Sequence, residues 1–251
     1  MPDVPRLPPG LRTLGPYALT KVLRIEDGIF HFLSQGPHGN HVVVKFLPAD
    51  RSKRGHWETH PLEAETRVAR HASPIIAGSV LDYAETSTGP YSVVEFIEGD
   101  TLQRFISNHG PLDRFAVRRL AMGLATLLVA AHHANIALRA LDPNRILLSP
   151  DGPRLTGFTG SAILDGSLDD RARDMEFTND LISWANLVLY AGTGLRSHDH
   201  TNASDIPIPG DFDPDLLTII ESVLQNNPGE GTTAEQLLDC LIDLPPSLEE
   251  E

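Results

Sequence analysis

Apolar residues fall along this chain in two rhythms. From residue 17 to residue 96 they come in short alternating runs, which predict strands over 17–23, 29–34, 41–47, 77–82 and 91–96. One helical pattern interrupts them at 62–72, with Ala64, Val68, Ala69 and Ala72 on one face, and Ser73 followed by Pro74 ends it. Beyond residue 99 the spacing becomes helical, predicting helices over 101–108, 112–135, around Asp180, and over 214–226 and 233–243. A single hairpin breaks this second half. Ile146, Leu147 and Leu148 form its first strand, a turn runs from Ser149 to Pro153, and Leu155 and Phe158 lie on the return. Residues 1–16 carry several prolines and no apolar period, which predicts an extended tail. The organisation expected is α+β, with a strand-rich part at 17–98, a mostly helical part at 99–243 and an acidic tail at 244–251.

Composition narrows the functions this organisation could serve. With 251 residues, 41% of them apolar, the chain can bury one large core or two small ones. A formal charge of −14 argues against nucleic acid, whose phosphates call for clustered Lys and Arg. The lone cysteine, Cys240, lies in an apolar helical pattern and reads as core, with no internal disulfide available. The start of the chain lacks a secretory pattern, and the longest apolar run, 124–131, is too short for a bilayer, so a cytoplasmic protein is expected. His198 and His200 flank Asp199 and read as a solvated loop, not a metal site, and the sequon at Asn202, Ala203 and Ser204 is discounted.

Lysine is scarce, present only as Lys21, Lys45 and Lys53, so a lysine inside an apolar strand stands out. Lys45 ends the run Val42, Val43, Val44. Glu65 falls on the apolar face of the helix that follows, and a carboxylate on a buried face needs a partner. A Lys45–Glu65 pair is expected.

The stretch L-R-A-L-D-P-N-R-I-L-L, residues 138–148, followed by G-F-T at 157–159, resembles the protein kinase family. The family's catalytic loop reads H-R-D-L-x-x-x-N, and its next strand ends in D-F-G. The resemblance covers about residues 17–243 and implies a two-lobed kinase-like fold, a small five-stranded lobe with one main helix and a larger helical lobe. It makes Lys45 and Glu65 the family's strand-lysine and helix-glutamate pair. Val43 would lie over a purine, where the family has a smaller alanine, Val94 at the back of the pocket, Glu95 and Phe96 in the hinge, and Leu147 would also belong to this remnant nucleotide pocket. Leu138 and Phe158 would belong to an apolar column through the core. Asp180, in D-L-I-S-W-A, would accept backbone amides of the catalytic loop.

The reactive positions depart from the family. Ala140 stands for the catalytic Asp, and Arg145 and Gly157 stand for the two metal ligands. The glycine-rich loop reads R-I-E-D-G-I-F, where only Gly28 remains and Glu26 and Asp27 add negative charge, which reads as an ordinary hairpin turn. No A-P-E triplet occurs near residues 167–168, and Gly231 replaces the arginine that would pair with its glutamate. The reading that follows is a pseudokinase of bacterial type. It is expected to be no enzyme, to hold no metal or cofactor, and to act as scaffold or allosteric regulator by binding another protein such as an active kinase. The alternatives are a nucleotide sensor that binds ATP without Mg²⁺ and an atypical serine/threonine phosphotransferase.

Overall fold

The computed structural model describes residues 10–49, 60–139, 141–166, 168–196, 206–225 and 231–245. Ala140, the His198–His200 loop, the sequon and the acidic end lie outside the described residues. The described chain divides into two units. One comprises residues up to Ile97 together with Gly157–Thr159, and the other comprises Glu98–Thr156 and the chain from Gly160 onward. The first break falls between Ile97 and Glu98, and three residues of the second half, Gly157–Thr159, belong to the first unit.

Among the described residues the first unit is a six-stranded antiparallel sheet with one helix. Its strands are β1 (Thr13–Leu14), β2 (Tyr17–Glu26), β3 (Ile29–Gln35), β4 (His41–Phe46), β5 (Val80–Thr86) and β6 (Gly89–Glu95), in spatial order β1-β2-β3-β4-β6-β5. Alternation sorts the side chains to two faces. Phe30, Phe32, Val44, Phe46, Tyr91 and Val93 share one face in a buried cluster with Leu14 and Tyr17. Cross-strand rows on the other face set His31, Lys45 and Ser92 side by side, and Leu33, Val43 and Val94 beside them.

Two strand expectations need correction. The tail does not run to residue 16, because Thr13–Leu14 pairs with β2 and Leu14 is 2% exposed. Two residues among prolines carry no period to detect, yet one leucine suffices to close the aromatic cluster. This strand raises the count from five to six. The strand expected at 77–82 starts later, at Val80: Ile76 and Ala77 are buried, but Gly78 lies against the backbone of Glu95, with room for no side chain.

The turn joining β2 to β3 has just two residues, Asp27 (φ 49°) and Gly28 (φ 83°), the paired positive φ of a tight hairpin turn. Gly89, which opens β6, has φ 135°, and a Cβ there would overlap the carbonyl oxygen of Leu47 and lie 2.9 Å from the amide nitrogen of Ala49. Both neighbours are backbone. Gly89→Ala is therefore expected to lower stability by about 1–3 kcal/mol, read as a lower urea midpoint with unchanged slope.

Helix α1 (Pro61–His71) packs on β5 and β6, with Pro61 at its first position. Its buried face is Leu62, Glu65, Thr66 and Val68, shifted from the expected alanine face but still containing Glu65.

The second unit holds helices α2 (Leu102–His109), α3 (Arg114–His133), α4 (Asp170–Thr193), α5 (Pro214–Gln225) and α6 (Ala234–Ile242). Short strands connect them: β7 (Asp100–Thr101), β8 (Ile136–Ala137), β9 (Ile146–Ser149), β10 (Gly152–Leu155) and β11 (Ala162–Ile163). Thr101, Asp113, Asp169 and Thr233 cap helices α2, α3, α4 and α6 through their side-chain oxygens. By length and composition α3 could cross a membrane, but Leu120, Leu124, Leu127, Leu128 and Ala131 are buried in a helix that packs on α4 and α6. The second half of α4 is buried on all sides from Leu187 to Gly192, which makes it the central helix of this unit. Cys240 is exposed, not core, because α6 buries the stripe Ala234, Leu237 and Leu241 instead.

Candidate functional site

In the first unit Lys45 and Glu65 meet. The Lys45 ammonium donates to Glu65 Oε1, and the two residues are 2% and 5% exposed. Strand β4 fixes the lysine between His31 and Ser92, and one turn of α1 fixes the glutamate. Glu65 receives two further hydrogen bonds from a distant segment. The Phe158 amide donates to Oε1 at 3.0 Å, and the Thr159 hydroxyl donates to Oε2 at 3.1 Å. These bonds explain why residues 157–159 belong to the first unit.

Burial by itself pushes the Glu65 carboxyl pKa up. The charge of Lys45, with the hydrogen bonds from Lys45, Phe158 and Thr159, outweighs burial and holds it below the ordinary value of 4.5. A pKa lowered by folding contributes stability that is full above the unfolded value and is lost as pH falls through the folded one. The urea midpoint is accordingly expected to drop as pH falls from about 5 to 3. Glu65→Gln, which removes the titrating group, should start lower and flatten that limb of the profile.

Val43 and Val94 sit directly opposite each other on the Lys45 face, Val43 half-buried and Val94 buried. Glu95 is exposed and accepts the Ser79 amide at 3.0 Å, while Phe96 meets His41 edge-on at 5.9 Å between ring centres. Glu26, at the hairpin turn, lies 3.3 Å from the Arg24 guanidinium and 4.0 Å from His31.

In the second unit the loop after β8 is organised by Asp180 on α4. Its fully buried carboxylate accepts the amides of Leu138 at 2.8 Å and Arg139 at 2.7 Å, and lies 3.2 Å from His132 Nε2. His132 also stacks on Phe177, with ring centres 4.0 Å apart. Arg139 has φ 56°, and its guanidinium forks onto Glu176 at 3.0 and 2.6 Å. Trp184, one turn beyond Asp180, donates its indole N–H to the Ala121 carbonyl at 2.9 Å.

Arg145 follows a turn in which its amide donates to Asp142 O at 2.8 Å, and its carbonyl accepts the Thr156 amide at 2.9 Å. Asp142 is engaged by its neighbours. Partial burial raises its pKa, but two hydrogen bonds from Asn144 and the Arg196 guanidinium at 3.2 Å bring it below the ordinary value.

The structure thus gathers Lys45, Glu65, Val43, Val94, Gly157 and Phe158 in one unit, while Leu138, Arg145, Leu147 and Asp180 belong to the other. Leu138 and Phe158 are each buried. Sequence reasoning passes over Thr159, and it reads His132, beside His133, only as favourable charge at a helix end. A hydroxyl directly after the apolar Phe158 is the available signal for the first, but it does not name its partner.

A curled antiparallel sheet carrying one helix, a helical unit built on a central helix, and a buried Lys–Glu pair together define the protein kinase fold. Comparison with known proteins agrees. The chain is 29% identical over 256 residues to the probable serine/threonine-protein kinase PkwA of Thermomonospora curvata, covering 92% of this chain and 34% of that protein. It is 25% identical over 240 residues to the serine/threonine-protein kinase AfsK of Streptomyces griseus, covering 85% and 30%. The solved structure of Rad53 residues 1–466 in complex with AMP-PNP superposes with a TM-score of 0.70 at 18% identity, covering 89% of this chain and 64% of that one. No family model matches. The chain has the protein kinase fold and is similar in sequence to these kinases, and it spans about a third of the length of the curated relatives it matches.

These relatives correct one expectation. Ala140, Arg145 and Gly157 suggest no enzyme, but the relatives it matches are named a probable serine/threonine-protein kinase (PkwA) and a serine/threonine-protein kinase (AfsK), which points toward an enzyme instead. The family's Mg²⁺ ions are a separate matter. Gly157 offers no side-chain donor and Arg145 brings a cation, and the described residues contain no group of three His, Cys, Asp or Glu able to hold a metal ion. The donor set does not fit Mg²⁺.

Proposed function

We propose that the chain is the kinase-family part of a bacterial signalling protein and acts on another protein by binding it. Its Lys45–Glu65 pair is held by the chain's own groups, with no Mg²⁺-bound nucleotide required. The observation that supports this reading most is the engagement of Glu65 by three donors, Lys45, the Phe158 amide and the Thr159 hydroxyl. In kinases that pair must be in place, and it is one of the points through which activity is controlled. A pair fixed by local hydrogen bonds keeps α1 seated on the sheet, presenting a constant surface to a partner. The cytoplasm, where kinases meet their partners, is the compartment this reading favours.

Phosphoryl transfer to serine or threonine is a second reading, favoured by the names of PkwA and AfsK. It would rest on Lys45 as the phosphate contact.

Crosslinking the purified chain in extracts of its source organism, with and without added nucleotide, separates the readings. The expected result is one defined complex, retained after nucleotide is removed and unchanged by Glu95→Ala. Absence of any complex, together with Mg²⁺-dependent label transfer that Lys45→Ala abolishes, would establish the second reading instead.

A further inference from the structure

Within the second unit, helices α3, α4 and α6 border a cavity of about 300 Å³. Val129, Phe177 and Leu181 give its lining an apolar part. Phe177 lies flat against His132, with the two rings nearly parallel, so a stacked aromatic pair belongs to the wall. Two carboxylate residues line the same space from different helices, Asp174 on α4 and Glu235 in the first turn of α6, and both are exposed. Glu235 pairs with His133, a contact between exposed groups and therefore weak. The Asp174 carboxylate has no hydrogen bond or ion pair among the described residues.

The helix ends agree with these carboxylates about the charge a ligand should carry. The last turn of α3 reaches the cavity at His132 and His133, and a helix C-terminus carries partial negative charge. The start of α6 would attract an anion, but its capping box already uses the amides of Thr233 and Gln236. We propose that the cavity takes the arginine side chain of a basic segment on a partner protein. A flat guanidinium can stack on the Phe177–His132 pair while its N–H groups fork onto Asp174 and replace His133 at Glu235. Its methylene stem covers Val129 and Leu181. Lysine brings the same charge on a compact, strongly hydrated ammonium, without the plane. The chain's formal charge of −14 favours the approach of such a segment. The inference rests on the proposed function for the existence of a protein partner, and adds the chemistry by which that partner is held.

Three short peptides, acetylated and amidated, serve as probes: Gly-Arg-Gly, Gly-Lys-Gly and Gly-citrulline-Gly. Citrulline keeps the shape of arginine without its charge. Backbone amide NMR signals of Asp174, Phe177 and Glu235 report on the cavity, with those of β4 as reference. The arginine peptide should shift the first set saturably and leave the reference unmoved. The citrulline peptide should bind roughly tenfold more weakly or worse, since it forfeits a charge-assisted contact. Asp174→Asn should weaken the arginine peptide roughly tenfold at unchanged Tm, because the residue is exposed and its carboxylate holds nothing in the fold. Phe177→Ala should remove the preference for arginine over lysine.

Should Phe177→Ala fold poorly, Asp174→Asn and the citrulline peptide still decide the matter. Equal binding of the arginine and citrulline peptides overturns the inference. So does full-strength binding to Asp174→Asn, or the lack of any saturable shift with the arginine peptide. The crosslinking experiment above keeps the two claims apart. A defined complex in extracts, from a chain that does not bind the arginine peptide, leaves the proposed function standing and removes the cavity as its docking point. Arginine binding with the stated preferences, in a chain that forms no complex, establishes the cavity's chemistry and counts against the proposed function.

Discussion

Lys45→Ala is expected to destabilise the chain by about 3–5 kcal/mol, because it leaves the Glu65 carboxylate buried without its cation. For a chain of this size that corresponds to a fall in Tm of roughly 10 °C. The loss comes mainly from the charge left behind. Replacing both members together, Lys45→Met with Glu65→Leu, should cost far less than either truncation alone, since two apolar groups of similar volume need no partner. The Phe158 amide and the Thr159 hydroxyl then lose their acceptor, which sets the residual cost of the double change. A double-mutant cycle read by urea unfolding checks this, and it should return a coupling of a few kcal/mol, about 2–3. Additive single effects would show that the two side chains do not form a buried pair.

Asp180→Ala is expected to have an effect of similar size, about 3–5 kcal/mol, through a different cause. Asp180 is fully buried and accepts the amides of two consecutive residues, Leu138 and Arg139. Each buried amide left without an acceptor costs about 1–3 kcal/mol. Arg139 also holds a left-handed backbone conformation that its hydrogen bonds stabilise. Hydrogen exchange should show the loss locally, as faster exchange at residues 138 and 139, while the amides of β4 keep their protection. Asp180→Asn should be intermediate: it retains one acceptor oxygen but turns an N–H toward a donor.

The architecture was legible in the chain because its two apolar rhythms are long and distinct. Period-two runs mark the sheet, and Leu120, Leu124, Leu127 and Leu128 mark the core of α3. The Lys45–Glu65 pair was legible for a related reason, since a charge on an apolar face announces that it needs a partner. Other features carry no such mark. β1 is two residues long, and Leu14 acts through the aromatic cluster it closes, not through a pattern of its own. The shift of the buried face of α1 toward Leu62 and Thr66 depends on how the helix rests on β5 and β6, which periodicity does not fix. Cys240 was misplaced because a short helix with apolar residues on several sides does not say which side is covered.

The departures at Arg145 and Gly157 were visible, but their consequence was read in one direction only, as chemistry removed. The fold shows what the neighbouring residues add, the hydrogen bonds of Phe158 and Thr159 to Glu65. They join residues 93 and 94 positions apart, and no local pattern contains them.

A thermal-shift titration with ATP and ADP, run once with Mg²⁺ and once with EDTA, tests most directly whether the Lys45–Glu65 pair is held by the chain's own groups without a metal. The expected result is a Tm that Mg²⁺ does not raise at any nucleotide concentration. A gain that requires Mg²⁺, about 2.7 kcal/mol at a hundredfold excess over Kd and hence several degrees, would contradict it. A metal would then be bound despite Gly157 and Arg145.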